Sequence, residues 1–228
     1  MDSKNPSRGP HQLPAGRHGL DRGYVVANQR TRILDATALV ASSTGYDQMN
    51  VEAVIAAAGV SRRTFYDLYA NKEDAFLASY EQIAHGLRTA IADACGAGQS
   101  IADRAEAALT AAMTYLAQDP AAADVYLVQA RAAGAQASDR LDADMRSLAA
   151  SVDGWGQTLP KRSRPPAVMG VTLVGGVAEA ARLRLAAGQP QELLSLVPDM
   201  LYLLLLPYAG DTDANAARAR ARRRVGRL

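Results

Sequence analysis

Between Asn50 and Lys72 the chain starts and stops helices at a pace that few folds allow. Asn50 can accept hydrogen bonds from the free backbone N–H groups of a helix start. Val51 to Ala58 follows, rich in alanine, the best helix former. Gly59 suits the left-handed conformation that ends a helix. Val60 fills the inside of the turn, and Ser61 caps a second short helix over 62–68. Asn71 caps a third, with Lys72 in its first turn. Two short helices joined by a tight, glycine-containing turn form a helix-turn-helix signature.

The second helix of the pair has two faces. Phe65 and Leu68, at i and i+3, are expected to face a core, while Arg62, Arg63, Thr64, Tyr66 and Asp67 point elsewhere. In this motif the N-terminal residues of the second helix meet base edges. Arginine matches guanine O6 and N7, and Thr can touch a thymine methyl or hydrogen-bond. Tyr66 and Lys72 are placed to reach phosphates, which set register without reading sequence. The helix start at Asn71 and Lys72 attracts phosphate through its free N–H groups. The candidate DNA-binding set is Asn50, Ser61, Arg62, Arg63, Thr64, Tyr66, Asp67 and Lys72. Two arginines alone fit a solvated helix equally well; the full succession of cap, helix, Gly, Val, Ser, helix, Asn and Lys favours the DNA reading.

From Arg30 to Tyr80 the chain resembles the DNA-binding domain of the TetR family of transcriptional regulators. The residues that carry the resemblance are Arg32 to Ala36, Gly45-Tyr46, Val51-Glu52, Ala57 to Ser61, Thr64 to Tyr66, Lys72-Glu73 and Ala75-Phe76. The chain departs from the pattern in several places. Met49-Asn50 stands where Thr or Ser is usual, Arg63 where Gly is common, and Leu68-Tyr69 where an aromatic or His followed by Phe is common. Arg63 adds a further possible contact to base or phosphate, and Leu68 removes a polar backbone contact. The resemblance implies three small DNA-binding helices followed by about six more. It also implies a homodimer, a palindromic double-stranded DNA operator and repression released by a small molecule. The pocket then lies among the middle helices, and its closure moves the two reading helices apart.

Charge is distributed to match. The net charge is only +2, but residues 1–72 carry +3, residues 73–215 carry −7 and residues 216–228 carry +6. A DNA-facing end on an acidic body fits this asymmetry. Arg218 to Arg227 reads as a solvated, partly disordered basic tail, or alternatively as an auxiliary phosphate-binding tail. Cys95 is the only cysteine, so no internal disulfide is available and a reducing, cytoplasmic setting is expected. Cys95 reads as a small filler near a helix end, with redox sensing as the alternative.

The chain divides into an arm over 1–23, a DNA-binding domain over 24–72, a helical regulatory domain over 73–210 and a basic tail over 211–228. Arg17, His18 and Arg22 of the arm either drape into a minor groove or are simply solvated. The fold class is all-α, with about nine helices. They are expected over 24–43, 51–58, 62–68, 72–94, 101–118, 120–133, 136–156, from Pro166 to Ala187 and from Pro190 onward. Pro198 is expected to kink the last helix or split it. Leu193 to Ala209 is apolar but shorter than a bilayer demands, and reads as a buried helix.

Two further expectations concern assembly and regulation. Val171, Val174, Val177, Ala178, Ala181 and Leu185 make a stripe, and Gly170, Gly175 and Gly176 let a second helix come close. With the leucine-rich last helix they suit an isologous four-helix interface. Effector-pocket candidates are Met113, Leu116, Tyr126, Arg131, Met145, Trp155, Met169, Leu173 and Glu179, whose chemistry suits an apolar or aromatic molecule. Each is also an ordinary core residue by type. Enzymatic function is not expected: there are three histidines, no phosphate-cradling glycine loop, no CxxC and no HExxH. No cofactor and no metal are expected. The alternative to a ligand-released repressor is a protein-interaction or activator protein that uses the same motif without small-molecule induction.

Overall fold

In the computed structural model, residues 22–96, 100–157, 159–161 and 164–226 are described, and every regular element among them is helical. The expected arm over 1–23 lies almost wholly outside these residues. Four helices open the chain: α1 (Arg22–Thr44), α2 (Val51–Ala58), α3 (Arg62–Leu68) and α4 (Lys72–Ala94). They are followed by α5 (Ile101–Gln118) and by α6, which runs as α-helix over Pro120–Asp124, π-helix over Val125–Gln129 and α-helix over Ala130–Ala132. Then come α7 (Ala135–Gly156), α8 (Met169–Ala186), a 3-10 turn (Pro190–Leu196) and α9 (Val197–Val225).

The small N-terminal bundle closes on Ile33, Met49, Val54, Phe65 and Phe76, all nearly or fully inaccessible to solvent. Each large side chain removed from water there contributes about 1.5–3 kcal/mol. Helix α4 belongs to both halves. Its first turns pack on α1, and its remainder packs on α5 and touches α7. Its apolar stripe Phe76, Leu77, Tyr80, Ile83, Ala84 and Leu87 is buried throughout. In the second half, α5 packs on α4 and α9, and α7 lies along α8.

Two sequence expectations are corrected and a third is extended. Helix α8 starts at Met169, not at Pro166, because the residues before it form a turn in which the Met169 N–H donates to the Pro166 carbonyl at 2.9 Å. The last helix does divide at Pro198: Pro190–Leu196 is a 3-10 turn and α9 begins at Val197, with Pro198 in its first turn, where its missing N–H has no intrahelical partner to lose. A second break, not expected from the sequence, falls at Gly210 (φ 80°, ψ 169°), three residues after Pro207. A non-glycine residue would be strained at that φ.

The other correction concerns the tail. Residues 211–225 are largely solvated, as expected, but they are not disordered: they form a helix folded back along the first half of α9. Ala214, Ala217 and Ala221 are buried on its inner face. Arg218 and Arg222 both donate to Asp199, at 2.7 and 3.1 Å, and Arg224 pairs at 2.9 Å with Glu106, which is only 5% exposed. The Arg218 hydrogen bond holds the Asp199 carboxyl below its usual range. The stretch Pro190–Val225 is long and apolar enough to cross a membrane, yet 44% of its apolar window is buried within this fold.

Candidate nucleic-acid interface and interior cavity

The helix-turn-helix is fixed by local polar bonds. Asn50 Oδ1 accepts from Ala53 N at 2.9 Å, Ser61 Oγ from Thr64 N at 3.0 Å, and Asn71 Oδ1 from Asp74 N at 2.8 Å. Gly59 takes the left-handed conformation (φ 61°, ψ 39°) at the turn. Sequence reasoning missed the residue that locks it. The Arg32 guanidinium reaches from α1 and donates to the carbonyls of Ala58 and Gly59, at 2.5 and 2.6 Å. Those are carbonyls that a helix end leaves unsatisfied, and the only signal was a basic residue in the middle of α1.

Phe65 is fully buried and sets the rotation of α3, so that Arg62, Arg63, Tyr66 and Asp67 are exposed together. Thr64 is half-buried, its hydroxyl 2.8 Å from Ser61 Oγ. Arg62 pairs with Glu52 and lies over the Tyr66 ring, 6.0 Å from its centroid. Arg63 Nε lies 3.8 Å from Asp67 Oδ2. Both pairs are on the surface, where an ion pair contributes about 0–1 kcal/mol, so a phosphate or base edge can replace either acid. Asn50 is occupied as a cap at the edge of this face.

Lys72 has a different position. Its ammonium donates to the carbonyls of Tyr46, Asp47 and Met49, at 3.2, 3.2 and 3.0 Å, and lies 4.8 Å from the centroid of the Tyr46 ring. An ammonium has three N–H donors, so all three are committed to the loop between α1 and α2. The lysine is a clamp on that loop and not an open phosphate contact.

The same loop touches the second half, beside the packing of α1 on α6. Tyr46 N–H donates to Gln129 Oε1 at 3.0 Å, and Gln129 sits in the π-helical stretch of α6, its amide held by Asp124 at 2.9 Å. Nearby, Tyr80 stacks on Tyr126 with centroids 5.6 Å apart and donates to Asp144 at 2.6 Å. Burial, reinforced for Tyr80 by the Asp144 hydrogen bond, pushes both phenols far above their usual range. Both are therefore neutral at any ordinary pH.

Between α4, α5, α7, α8 and α9 lies a cavity of about 700 Å³. Its walls include Ile91, Leu109, Val152, Trp155, Val177 and Leu204. Of the nine pocket candidates only Trp155 lines it. Arg131, Met145 and Glu179 line a smaller cleft of about 360 Å³ between α6, α7 and α8. Met113, Leu116 and Tyr126 are core residues, and Met169 and Leu173 pack half-buried against that core, lining neither space. The structure therefore does not bring the nine together. A search for bulky methionines and aromatics overlooks what makes volume. Ala92, Ala105, Ala108, Ala112 and Gly154 line the cavity because they leave it empty.

Large apolar side chains are exposed on the last two long helices. Val168, Val171 and Leu183 on or beside α8, and Leu203 and Leu206 on α9, are each more than a third exposed. Gly175 and Gly176 stand among them with open space where a Cβ would be. The basic end of α9 lies elsewhere. Antiparallel packing puts Ile83 beside Tyr115 and Cys95 beside Arg104, so Glu106 and its partner Arg224 sit at the end of α4 farthest from Lys72. A helix of 23 residues separates that pole from the helix-turn-helix by about 34 Å.

Comparison with known proteins agrees with this layout. Residues 33–78 match the family model described as bacterial regulatory proteins, tetR family. A search of curated proteins finds no match. Among solved structures, the fatty acid degradation regulator FadR from Bacillus halodurans is similar with a TM-score of 0.66 at 20% identity, over 77% of this chain and 97% of that one. A TetR-like transcriptional regulator from Rhodococcus sp. RHA1 gives 0.63 at 21% identity, over 87% and 100%. FadR from Bacillus subtilis, solved in complex with stearoyl-CoA, gives 0.61 at 19% identity, over 79% and 98%.

Proposed function

We propose that this chain, a transcriptional regulator of the TetR family, binds a palindromic operator as a homodimer and is released from it by a small apolar effector, so acting as a repressor. The observation that carries the reading is α3. Its buried Phe65 and its Ser61 cap leave Arg62, Arg63 and Tyr66 exposed together with no structural duty beyond weak surface pairs, and hold Thr64 half-buried beside them at the helix start. Arg62 and Arg63 read base edges or phosphates, with Thr64 and Ser61 at the helix start and Tyr66 against the backbone. Asn50, Asp67 and Lys72 position that face. Lys72 does so by closing the loop before α2.

The exposed apolar side chains of α8 and α9 support the dimer, since two copies about a two-fold axis cover them isologously. Two reading helices on that axis then fit half-sites spaced by about one DNA turn or a multiple of it. The cavity supports an effector: its volume falls in the range of roughly 300–1,000 Å³ usual for ligand sites. Its apolar walls suit an elongated molecule, as the stearoyl-CoA complex of one structural relative illustrates.

Selection of genomic fragments by the purified protein tests the reading. A palindrome should emerge, with retention of the native fragment abolished by the Arg62→Ala/Arg63→Ala double variant at unchanged thermal stability. Recovery of no symmetric site, or undiminished binding by the folded double variant, sinks it.

A further inference from the structure

The cavity wall is mostly apolar, with Cys95, Ser147 and Ser151 and two cations among its polar groups, and the two cations differ. Arg88 donates to Asp144 at 2.6 Å and to Glu81 at 2.7 Å, so its charge is already answered. Arg104, near the start of α5, makes no ion pair among the described residues, and its Nε is buried without a hydrogen-bond partner. No carboxylate lines the cavity among the described residues. A buried N–H left unsatisfied is costly, and a guanidinium in such a place is matched by a carboxylate or phosphate through charge-assisted hydrogen bonds. Arg104 also marks one end of the space. It lies beside Cys95, whose Sγ is 3.8 Å from the Arg104 carbonyl oxygen, about two helical turns along α4 from Arg88. Ile91, Leu109, Val152, Trp155, Val177 and Leu204 supply the apolar remainder.

We infer that the cavity selects an elongated apolar molecule bearing one anionic head group, and that Arg104 is the residue that reads the head. This rests on the effector-cavity reading above and adds the charge of the effector and the side chain that discriminates it. A neutral molecule of the same length fills the same walls but leaves the Arg104 guanidinium without a counter-charge. An acid fills the walls and supplies one.

The molecule carries its own reporter. Cys95 is the only cysteine in the chain, it is half-buried, and it lines this cavity. Alkylation of full-length protein by iodoacetamide is followed in the presence of dodecanoate, dodecanol or dodecanoyl-CoA. Dodecanoate is expected to protect Cys95 at a concentration about tenfold or more below that of dodecanol, the usual worth of one hydrogen bond to a charged group. Arg104→Gln should erase that preference while leaving dodecanol protection unchanged, and Arg104→Lys should keep most of it. Thermal melting of each variant confirms that it is folded. The acyl-CoA arm identifies the source of the anion: whichever of acid and thioester shows the lower, Arg104-dependent midpoint supplies it. Equal protection by acid and alcohol, or a preference that survives Arg104→Gln, overturns the charge selection alone. Protection by none of the three removes the effector-cavity reading itself.

Discussion

The helix-turn-helix and the cavity-bearing bundle are both all-helical, but different forces hold them. In the first, each helix start from α2 to α4 is capped by a side chain, and Arg32 and Lys72 are bonded to backbone carbonyls. Geometry there is set by directional bonds, the caps acting within a few residues and Arg32 and Lys72 over 23 to 27. In the second, α7 and α8 start with no side-chain cap, α6 relaxes into a π-stretch, α9 breaks at Gly210, and about 700 Å³ is left empty. Around the cavity its packing is mainly apolar contact, which is not directional. On the proposed function, one region presents a fixed surface to DNA, whereas the other exchanges one packing for another when a ligand fills the space.

The comparison fails first, if it fails, at Phe65. Truncating it to Ala in a fully packed core should cost about 3–5 kcal/mol and abolish DNA binding. Val177→Ala, in the half-buried wall of the cavity, should cost less than about 1.5 kcal/mol, the range of an Ile→Val-sized loss. Chemical denaturation measures both, and a Val177 variant as damaged as the Phe65 variant breaks the distinction. Next in size is the Arg62→Ala/Arg63→Ala variant. A bidentate arginine contact to a base is worth about 1–3 kcal/mol, so operator affinity should fall about 100-fold or more while stability moves little. Fluorescence anisotropy on the selected palindrome gives the number.

Lys72→Met separates clamp from contact. Losing a charged donor shared among three carbonyls should cost about 2 kcal/mol of stability. The salt dependence of DNA binding should keep its slope, whereas loss of a true phosphate contact lowers that slope by about one unit. A lowered slope at unchanged stability returns Lys72 to the DNA surface.

These contrasts also explain what the sequence makes legible. Helices α2 to α5 lie within a residue of their expected bounds because their ends are written locally: Asn50, Gly59, Ser61, Asn71, Ser100 and Asp119-Pro120 act on the residues beside them. The exposed face of α3 follows from Phe65 by periodicity alone. Lys72 reads as a phosphate contact because its three carbonyls lie 23 to 26 positions upstream, beyond any local pattern. The cavity was illegible for a further reason. Its walls are drawn from five helices, and alanines and a glycine, which carry no chemical signal, make the space. The basic tail failed similarly, since Asp199 and Glu106 are distant in sequence and give no local sign that they await arginines.

A smaller effect is expected at that tail. Arg224→Ala leaves Glu106 buried without its cation and should cost about 1–2 kcal/mol, discounted because Arg224 is itself largely exposed. Operator affinity and its salt slope should not change, because Arg224 lies at the pole remote from α3. A slope that falls on this substitution places the arginines against DNA and contradicts the antiparallel packing of α4 and α5.

The smallest effect is the most informative about how the regions communicate. Tyr46 is bonded on both sides: its N–H donates to Gln129 in the π-stretch and its carbonyl accepts from Lys72, while its ring meets Phe76 edge-on with centroids 4.9 Å apart. A shift of α6 therefore moves the loop that sets the start of α2. Gln129→Leu keeps the volume and removes two hydrogen bonds, the one from Tyr46 N–H and the one to Asp124, together worth about 2 kcal/mol. Stability and unliganded DNA affinity should change by no more than that. The ratio of DNA affinities with and without dodecanoate should shrink about fivefold, since a coupling energy can be lost only where the two equilibria share a contact. Titration of operator DNA at saturating and at zero ligand measures that ratio. If it is unchanged in the variant, the coupling runs through α4 and the Tyr80–Tyr126 stack, and the rigid region is joined to the adaptable one along its longest helix instead of at Tyr46.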